Sequence, residues 1–336
     1  MKEEVKKLWR ICFPEDSEDF IELYFSMRYT DDITSAIIMD GNVVSSLQRI
    51  PYSMAYKGDI IPVSYISGAC THPSRRGIGL MTRLLKEAHR KMYDNGIYMS
   101  TLIPANNGLV DFYKGSEYSI IFNPEEKIMN QEICCHTINN IEFNKVSFSG
   151  KETEEISEFI YKYHSEKSSC ILHTKEDMDV IIADHLLSDG EIWMGRNIKG
   201  NICSVIFTIK EKDKVQIKEL ASDSKDTEKE AIGFILRHYG ATRAIFGFPC
   251  GMARVINALE MLKIYSQEVH ESKLIEVYGD EEITENNGYY LMSERKCTKL
   301  PDNNRTSNIE ITRIHISELS QLLFKGEKPY MSLMLN

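Results

Sequence analysis

The chain has 336 residues, 42% of them hydrophobic and 27% charged; at roughly 150 residues per domain it predicts two domains or more, and it excludes both one small module and wholesale disorder. Forty Lys and Arg against 50 Asp and Glu leave a formal charge of -10, which repels phosphate backbones and argues against nucleic-acid partners. No apolar run approaches the ~18 residues of a membrane span and the start MKEEVKKLWR lacks the apolar stretch of a signal peptide, so a cytoplasmic protein without a membrane partner is expected.

From Trp9 to Tyr29 the apolar residues Ile11, Phe13, Phe20, Ile21, Leu23, Tyr24 and Phe25 predict one or two short amphipathic helices. TSAIIMDGNVVSSLQRI then sets Asp40-Gly41 between apolar runs, a strong hairpin signal. A strand over 60–69 leads through THPSRRGIG into a helix with Leu80, Leu84, Leu85, Ala88 and Met92 on one face, closed by Asn95-Gly96. A strand over 97–103, a helix over 108–114 and a strand over 118–122 complete a mixed α/β domain, residues 1–130.

Residues 131–250 predict a second α/β domain. KETEEISEFIYKYH reads as a helix, and EIWMGRNIKGNICSVIFTIKEKDKVQIKELASD as three strands with turns at Lys199-Gly200 and Lys212-Asp213. Residues 251–336 form a smaller third unit, in which GMARVINALEMLK is expected to be one helix. LIEVYGDEEITENNGYYLMSE pairs two strands around Asn287-Gly288, LSQLLFKG is a late helix, and the end PYMSLMLN is apolar. The eight cysteines show no CxxC pair, so neither a metal site nor a disulfide framework is expected; they read as unpaired core thiols in a reducing compartment.

The stretch that carries chemistry runs from Ser67 to Leu84. A strand ends in SRRGIG and a helix begins at once, so successive backbone N–H groups face one concavity. Gly77 and Gly79 let the backbone approach an anion, and the helix N-terminus adds about half a positive charge. Arg75, Arg76, Arg83 and Lys86 concentrate cations in an acidic chain. The loop alone is equally consistent with a glycine turn closing a tight strand-to-helix joint.

The run VSYISGACTHPSRRGIGLMTRLLKEAHRKMYDNG, followed by LIPANNGLVDFYKGSEY, resembles the acetyl-CoA-binding heart of the GNAT N-acetyltransferases. The family loop Gln/Arg-x-x-Gly-x-Gly/Ala falls on Ser74, Arg75, Arg76, Gly77, Ile78 and Gly79, with serine replacing the usual first residue. The resemblance implies that Arg75 to Leu80 hold the diphosphate through main-chain N–H groups. It also implies that the strand Ser67, Gly68 and Ala69 pairs with the pantetheine arm as a strand-like partner. DFYKGSEY is similar to the family's FYxxxGY/F segment, with Glu117 in place of glycine, and assigns Tyr113 as general acid for the departing thiolate. A phenol of pKa about 10 suits a thiol of about 8.5.

The layout as a whole resembles the Eis-like (enhanced intracellular survival) acetyltransferases: tandem GNAT folds and a shortened sterol-carrier-like α/β domain. In the second domain SKDTEKEAIGF stands where a glycine loop belongs, and Asp223, Asp226, Glu228 and Glu230 mark a degenerate copy, hence one acetyl-CoA per chain. The resemblance further implies that the C-terminal carboxylate, on Asn336, acts as general base; an apolar tail packing as an edge strand is the other reading. His72 abuts the loop on its phosphate side, and Glu22, Asp31 and Asp32 border the expected acceptor side. The expected activity is acetyl transfer from acetyl-CoA, without a metal, to a primary amine of a small cationic acceptor by direct attack. The alternatives are a protein or peptide amine as acceptor, or a non-catalytic acyl-CoA or lipid-binding protein. A symmetric homo-oligomer is expected on the same resemblance.

Overall fold

The computed structural model describes residues 1–130, 141–147, 150–301 and 310–335. The chain opens with α1 (Lys2–Cys12), whose Val5, Leu8 and Trp9 are buried, and α2 (Glu18–Met27), which buries Ile21, Tyr24 and Phe25. Strands β1 (Thr34–Met39) and β2 (Asn42–Tyr56) form the expected hairpin. Asp40 and Gly41 both take positive φ there (52° and 79°), the backbone that a two-residue turn needs to match strand twist. Then come β3 (Asp59–Thr71), α3 (Leu80–Asp94), β4 (Met99–Leu102), α4 (Asn107–Lys114) and β5 (Ser119–Phe122). Helix α4 starts where Asn106 accepts the Leu109 N–H at 3.2 Å.

The middle of the chain supplies β6 (Glu125–Asn130), β7 (Ile141–Lys145), α5 (Gly150–Ser165), β8 (Ser169–Leu172) and α6 (Lys175–Leu187). Thr174 and Asp177 form a capping box at the start of α6. Strands β9 (Glu191–Asn197), β10 (Ile202–Glu211) and β11 (Lys214–Ser222) turn where the sequence predicts, and α7 (Lys225–Tyr239) and β12 (Arg243–Phe248) follow. The last segment contains β13 (Gly251–Val255), α8 (Ala258–Ser266), β14 (Lys273–Tyr278), β15 (Gly288–Ser293), β16 (Lys296–Leu300), β17 (Ile311–His315) and α9 (Ile316–Leu323).

Two sequence expectations fail here. GMARVINALEMLK is a strand and a helix: all five residues of β13 are buried, and Asn257 starts α8 by accepting the Glu260 N–H at 3.2 Å. A strand buried on both faces shows no alternation, and Met, Ala and Arg favour helix by propensity, so the local signal misleads. Strands β14 and β15 pair as expected, but Asn287-Gly288 is not their turn, because the connection holds a 3₁₀ turn at Thr284–Asn286 and Gly288 already belongs to β15. A side-chain knot fixes that loop: the Asn286 amide donates to Asp280 Oδ2 (2.8 Å) and to the Ile256 carbonyl (3.0 Å), and the Asn287 amide to the Asp280 carbonyl (2.8 Å).

The chain divides into two compact units that interleave in sequence. One comprises Met1–Ser17, Arg28–Phe122 and Cys250–Pro329; the other comprises Glu18–Met27, Asn123–Pro249 and the tail from Tyr330. The first unit has a mixed sheet in the order β1-β2-β3-β4-β13-β5, in which β13 pairs antiparallel with both β4 and β5, and a second sheet in the order β16-β15-β14-β17. Leu84, Leu85, Ala88 and Met92 of α3 pack with Leu47, Ile66, Leu102, Tyr113 and Met252 in one core, the face that the three- and four-residue spacing predicts.

In the second unit the sheet order is β6-β12-β11-β10-β9-β7. Ala231, Ile232, Ile235 and Leu236 of α7 cover Ile206, Val215 and Ile217. Both units therefore repeat one motif, an antiparallel pair, a helix and a parallel strand, and the fold class is mixed α/β as the sequence predicts.

Candidate active site

The site begins with an irregularity in β3. Ser46 pairs with Cys70 and Gln48 with Ser67, so Gly68 and Ala69 together face Leu47 alone. This bulge takes two residues out of the regular ladder. Gly68 sits at φ 56°, and a Cβ there would lie 2.2 Å from the Trp9 ring and 2.3 Å from Gln48 Oε1, so only glycine fits. Along its other edge β3 pairs in parallel with β4 over Val63–Tyr65 only, and then runs on to Thr71. The remainder of β3 projects past its partner and presents main-chain groups to a cleft of about 720 Å³.

The loop after β3 closes one wall of this cleft. Pro73–Arg75 is a 3₁₀ turn held by His72, whose Nδ1 accepts the Ser74 N–H at 3.2 Å. Gly77 and Gly79 take φ 79° and 80°, and open space lies where a Cβ of either would point. Gly79 begins α3 without a side-chain cap, which leaves the first N–H groups of the helix available to an anion. The Arg76 Nε donates to the Thr71 carbonyl (3.1 Å), Arg75 pairs with Asp40 (3.1 Å), and both arginines line the cleft.

Tyr113 lines the cleft from α4. Its ring makes edge contacts with Phe112 and Tyr118 at 5.2 and 5.8 Å, and among the described residues its hydroxyl has no hydrogen-bond partner. Burial, with a smaller contribution from the Cys70 charge, pushes its pKa up to about 12. At neutral pH Tyr113 is a phenol with a proton to give.

Behind it Tyr118 is fixed by a buried chain of polar groups. Burial lowers the pKa of His89 to about 4, so its ring is neutral. Nδ1–H then faces the Glu282 carboxylate (2.7 Å) and Nε2 accepts from the Tyr118 hydroxyl (3.0 Å), which in turn accepts from Ser100 (2.6 Å). Arg254, from β13, pairs with Asp280 (2.8 Å) and Glu282 (2.9 Å).

Of the residues singled out in the sequence, Ala69, Arg75, Arg76, Gly77, Gly79, Leu80 and Tyr113 share the cleft. Ser67, paired with Gln48, and Gly68, in the bulge, do not line the cleft, and Ile78 is 60% exposed. His72 is engaged as the cap of the 3₁₀ turn. Arg83 pairs with Glu87 on the surface (2.9 Å). Asn336, the expected base, lies outside the described residues. The sequence reading missed Cys12, Phe13, Cys70, Thr71, Asn106 and Phe112, which also line the cleft. Asn106 was legible as a helix cap before Gly-Leu-Val. Cys12 and Phe13 arrive from α1, and nothing local marks them.

The second unit repeats the strand geometry without the loop. Here β10 and β11 slip register at Phe207/Thr208, and β11 pairs with β12 only over Lys214–Ile217 before running on to Ser222. Only Asp223 and Ser224 join β11 to α7, and the Ser224 hydroxyl caps the helix by accepting the Thr227 N–H at 3.1 Å. The protein's own side chain thus takes a donor that an anion would need. Past the slip stands Glu219, wholly buried, and it accepts from His164 Nε2 (3.0 Å), Tyr330 Oη (2.9 Å), the Leu220 N–H (2.9 Å) and the Ser332 hydroxyl. The tail is fixed on this unit, with Tyr330 bridged to Cys170 of β8.

Residues 2–121 match the Acetyltransferase (GNAT) domain. Solved structures share the fold over nearly the whole chain. A conserved protein of Enterococcus faecalis, described as a probable N-acyltransferase, is 17% identical, with 95% of this chain and 86% of that one covered and a TM-score of 0.78. A GCN5-related N-acetyltransferase from Anabaena variabilis is 14% identical, with 98% and 96% covered and a TM-score of 0.77. Eis1 from Mycobacterium abscessus is 10% identical, with 97% and 87% covered and a TM-score of 0.76. No curated protein matches the sequence. At these identities the likeness is one of fold, and together with the matched domain it supports an acyltransferase.

Proposed function

We propose that this protein is an N-acetyltransferase that uses acetyl-CoA and acylates a primary amine of a small cationic acceptor by direct attack. One observation carries the reading: the projecting end of β3, the glycine loop with its two arginines, and the buried phenol of Tyr113 meet in a single cleft. Gly77 and Gly79, at positive φ and open toward the cleft, fit a diphosphate held on backbone N–H groups. The edge of β3 is suited to pair with an extended pantetheine arm as an added strand. A main-chain N–H released by the bulge near Ala69 serves as oxyanion donor, and Tyr113 donates its proton to the departing thiolate.

By resemblance, the α-carboxylate of Asn336 is the base that takes the substrate proton, since such a group ionises near 3.5 and is charged at pH 7. The net charge of -10 favours a cationic acceptor. A cytoplasmic location, a symmetric homo-oligomer and a sterol-carrier-like terminal segment complete the proposal on the same resemblance. Among the described residues no helix is long and apolar enough to cross a membrane.

Titration calorimetry with acetyl-CoA tests the reading. One site per chain, lost in Gly77→Glu, is expected, because the substitution puts a negative charge on the cleft-lining loop at a backbone angle that L side chains disfavour. Absence of binding by the unmodified protein overturns it and favours a scaffold or lipid-binding role. Binding without turnover on any amine, protein amines included, favours a sensor of acyl-CoA. Extension of the chain past Asn336 is expected to depress turnover sharply and spare acetyl-CoA affinity; unchanged turnover removes the carboxylate from the mechanism.

A further inference from the structure

Two thiols meet in the cleft wall. Cys12 is the last residue of α1, and its Sγ donates to the Thr71 carbonyl at 3.5 Å. Cys70, the neighbour of Thr71 in β3, has its Sγ 3.6 Å from the Ser46 hydroxyl. Both thiols line the cleft, where the Cys12 Sγ rests on the carbonyl of the residue that follows Cys70 in β3, and Arg76 lines the same cleft.

The Cys70 thiol and the Arg76 charge outweigh burial and lower the Cys12 pKa from its ordinary value, which favours attack by its sulfur. Cys70 is raised by its hydrogen bond to Cys12 and by burial, and stays a thiol. Cys70, Cys170, Cys203 and Cys297 are buried, whereas Cys12 and Cys250 are half-buried; only Cys12 of those two lines the cleft, and burial raises Cys250, so Cys12 is the reactive sulfur among the described cysteines.

We propose that Cys12 is a thiol-modification site inside the cleft, that it takes up a low-molecular-weight disulfide which Cys70 then resolves, and that acyl-CoA and this modification exclude each other. The proposal rests on the reading of the cleft as an acyl-CoA site. In the first step the Cys12 thiolate attacks one sulfur of the disulfide RSSR; a Cys12–SR bond forms, the S–S bond breaks, and RS⁻ leaves and takes a proton from water. In the second, Cys70 gives up its proton to water and attacks the Cys12 sulfur, which forms the Cys12–Cys70 bond and expels the second RS⁻. Two protein thiols are oxidised and one disulfide is reduced to two thiols.

The experiment treats the reduced full chain with oxidised glutathione, with and without acetyl-CoA, traps free thiols by alkylation and maps the peptides by mass. A Cys12–Cys70 linkage is expected, and in Cys70→Ser a glutathione that remains on Cys12. Acetyl-CoA at about ten times its dissociation constant is expected to slow modification roughly tenfold, the fraction of empty cleft setting the rate. In Cys12→Ser, acetyl-CoA binding measured before and after the oxidant is expected to agree, whereas the parent loses it until reductant is added.

Cys12 left unmodified while other cysteines react overturns the proposal. So does a rate indifferent to acetyl-CoA in a protein that calorimetry shows to bind it. Failure of the reduced protein to bind acetyl-CoA at all sinks the proposed function instead, and the peptide map then decides the thiol site alone.

Discussion

Tyr113 shows how far a single residue was readable. Its place in DFYKGSEY makes it the expected proton donor, but only the fold decides its acidity: burial, with a smaller contribution from Cys70, lifts the pKa to about 12. In the proposed mechanism the protonated phenol is the working form, so turnover is expected to lose this contribution only as pH rises toward 12, with no acid limb from Tyr113 in the neutral range. Tyr113→Phe keeps the buried ring and removes the proton, and a fall in kcat of roughly 10²-fold with acetyl-CoA affinity unchanged is expected from steady-state kinetics. Gly68 is expected to contact the cofactor, and the structure gives it a packing task as well. Gly68→Ala drives a Cβ to 2.2 Å from the Trp9 ring at φ 56°, a destabilisation of ~3 kcal/mol that denaturant midpoints will register. Glu117, where the segment it resembles has glycine, adopts φ 67°, a backbone angle that glycine takes without strain.

At the scale of elements, the hairpin at Asp40-Gly41, the loop into α3 and the caps at Asn106 and Thr174 follow from neighbours in sequence. The buried network behind the site does not. Arg254 reaches Asp280 and Glu282 only because β13 completes the sheet between β4 and β5. Nor does the sequence KELASD announce that Glu219 is buried. Burial pushes the Glu219 pKa up, but the charge of His164 and the hydrogen bonds from His164, Ser332 and Tyr330 bring it down to about 2. A folded pKa below the unfolded value gives stability that is present above pH ~4.5 and lost as pH falls through 2, on the order of 3 kcal/mol. Thermal melts from pH 6 to 2 are expected to show this loss, and Glu219→Gln, destabilised at pH 7, is expected to show a shallower slope over the same range.

The whole molecule holds two copies of one strand–helix–strand motif, of which one carries the glycine loop and the other a two-residue connection capped by Ser224. The prediction at this scale is the stoichiometry of one acetyl-CoA per chain, with the site lost in Gly77→Glu; two sites by calorimetry would mean that the uncharged cap of α7 still admits a diphosphate.

By itself, the sequence determined what short-range chemistry can write: turn residues with the φ they need, helix faces at their spacing, a glycine loop at the start of α3 and the tyrosine after it. Tertiary structure decided the rest. The insertion of β13, the interleaving of the two units in sequence, the contact of Cys12 with Thr71 and the buried Glu219 each bring together residues far apart in the chain. Such contacts are fixed by packing and by satisfaction of buried polar groups, and these leave no period in the local sequence.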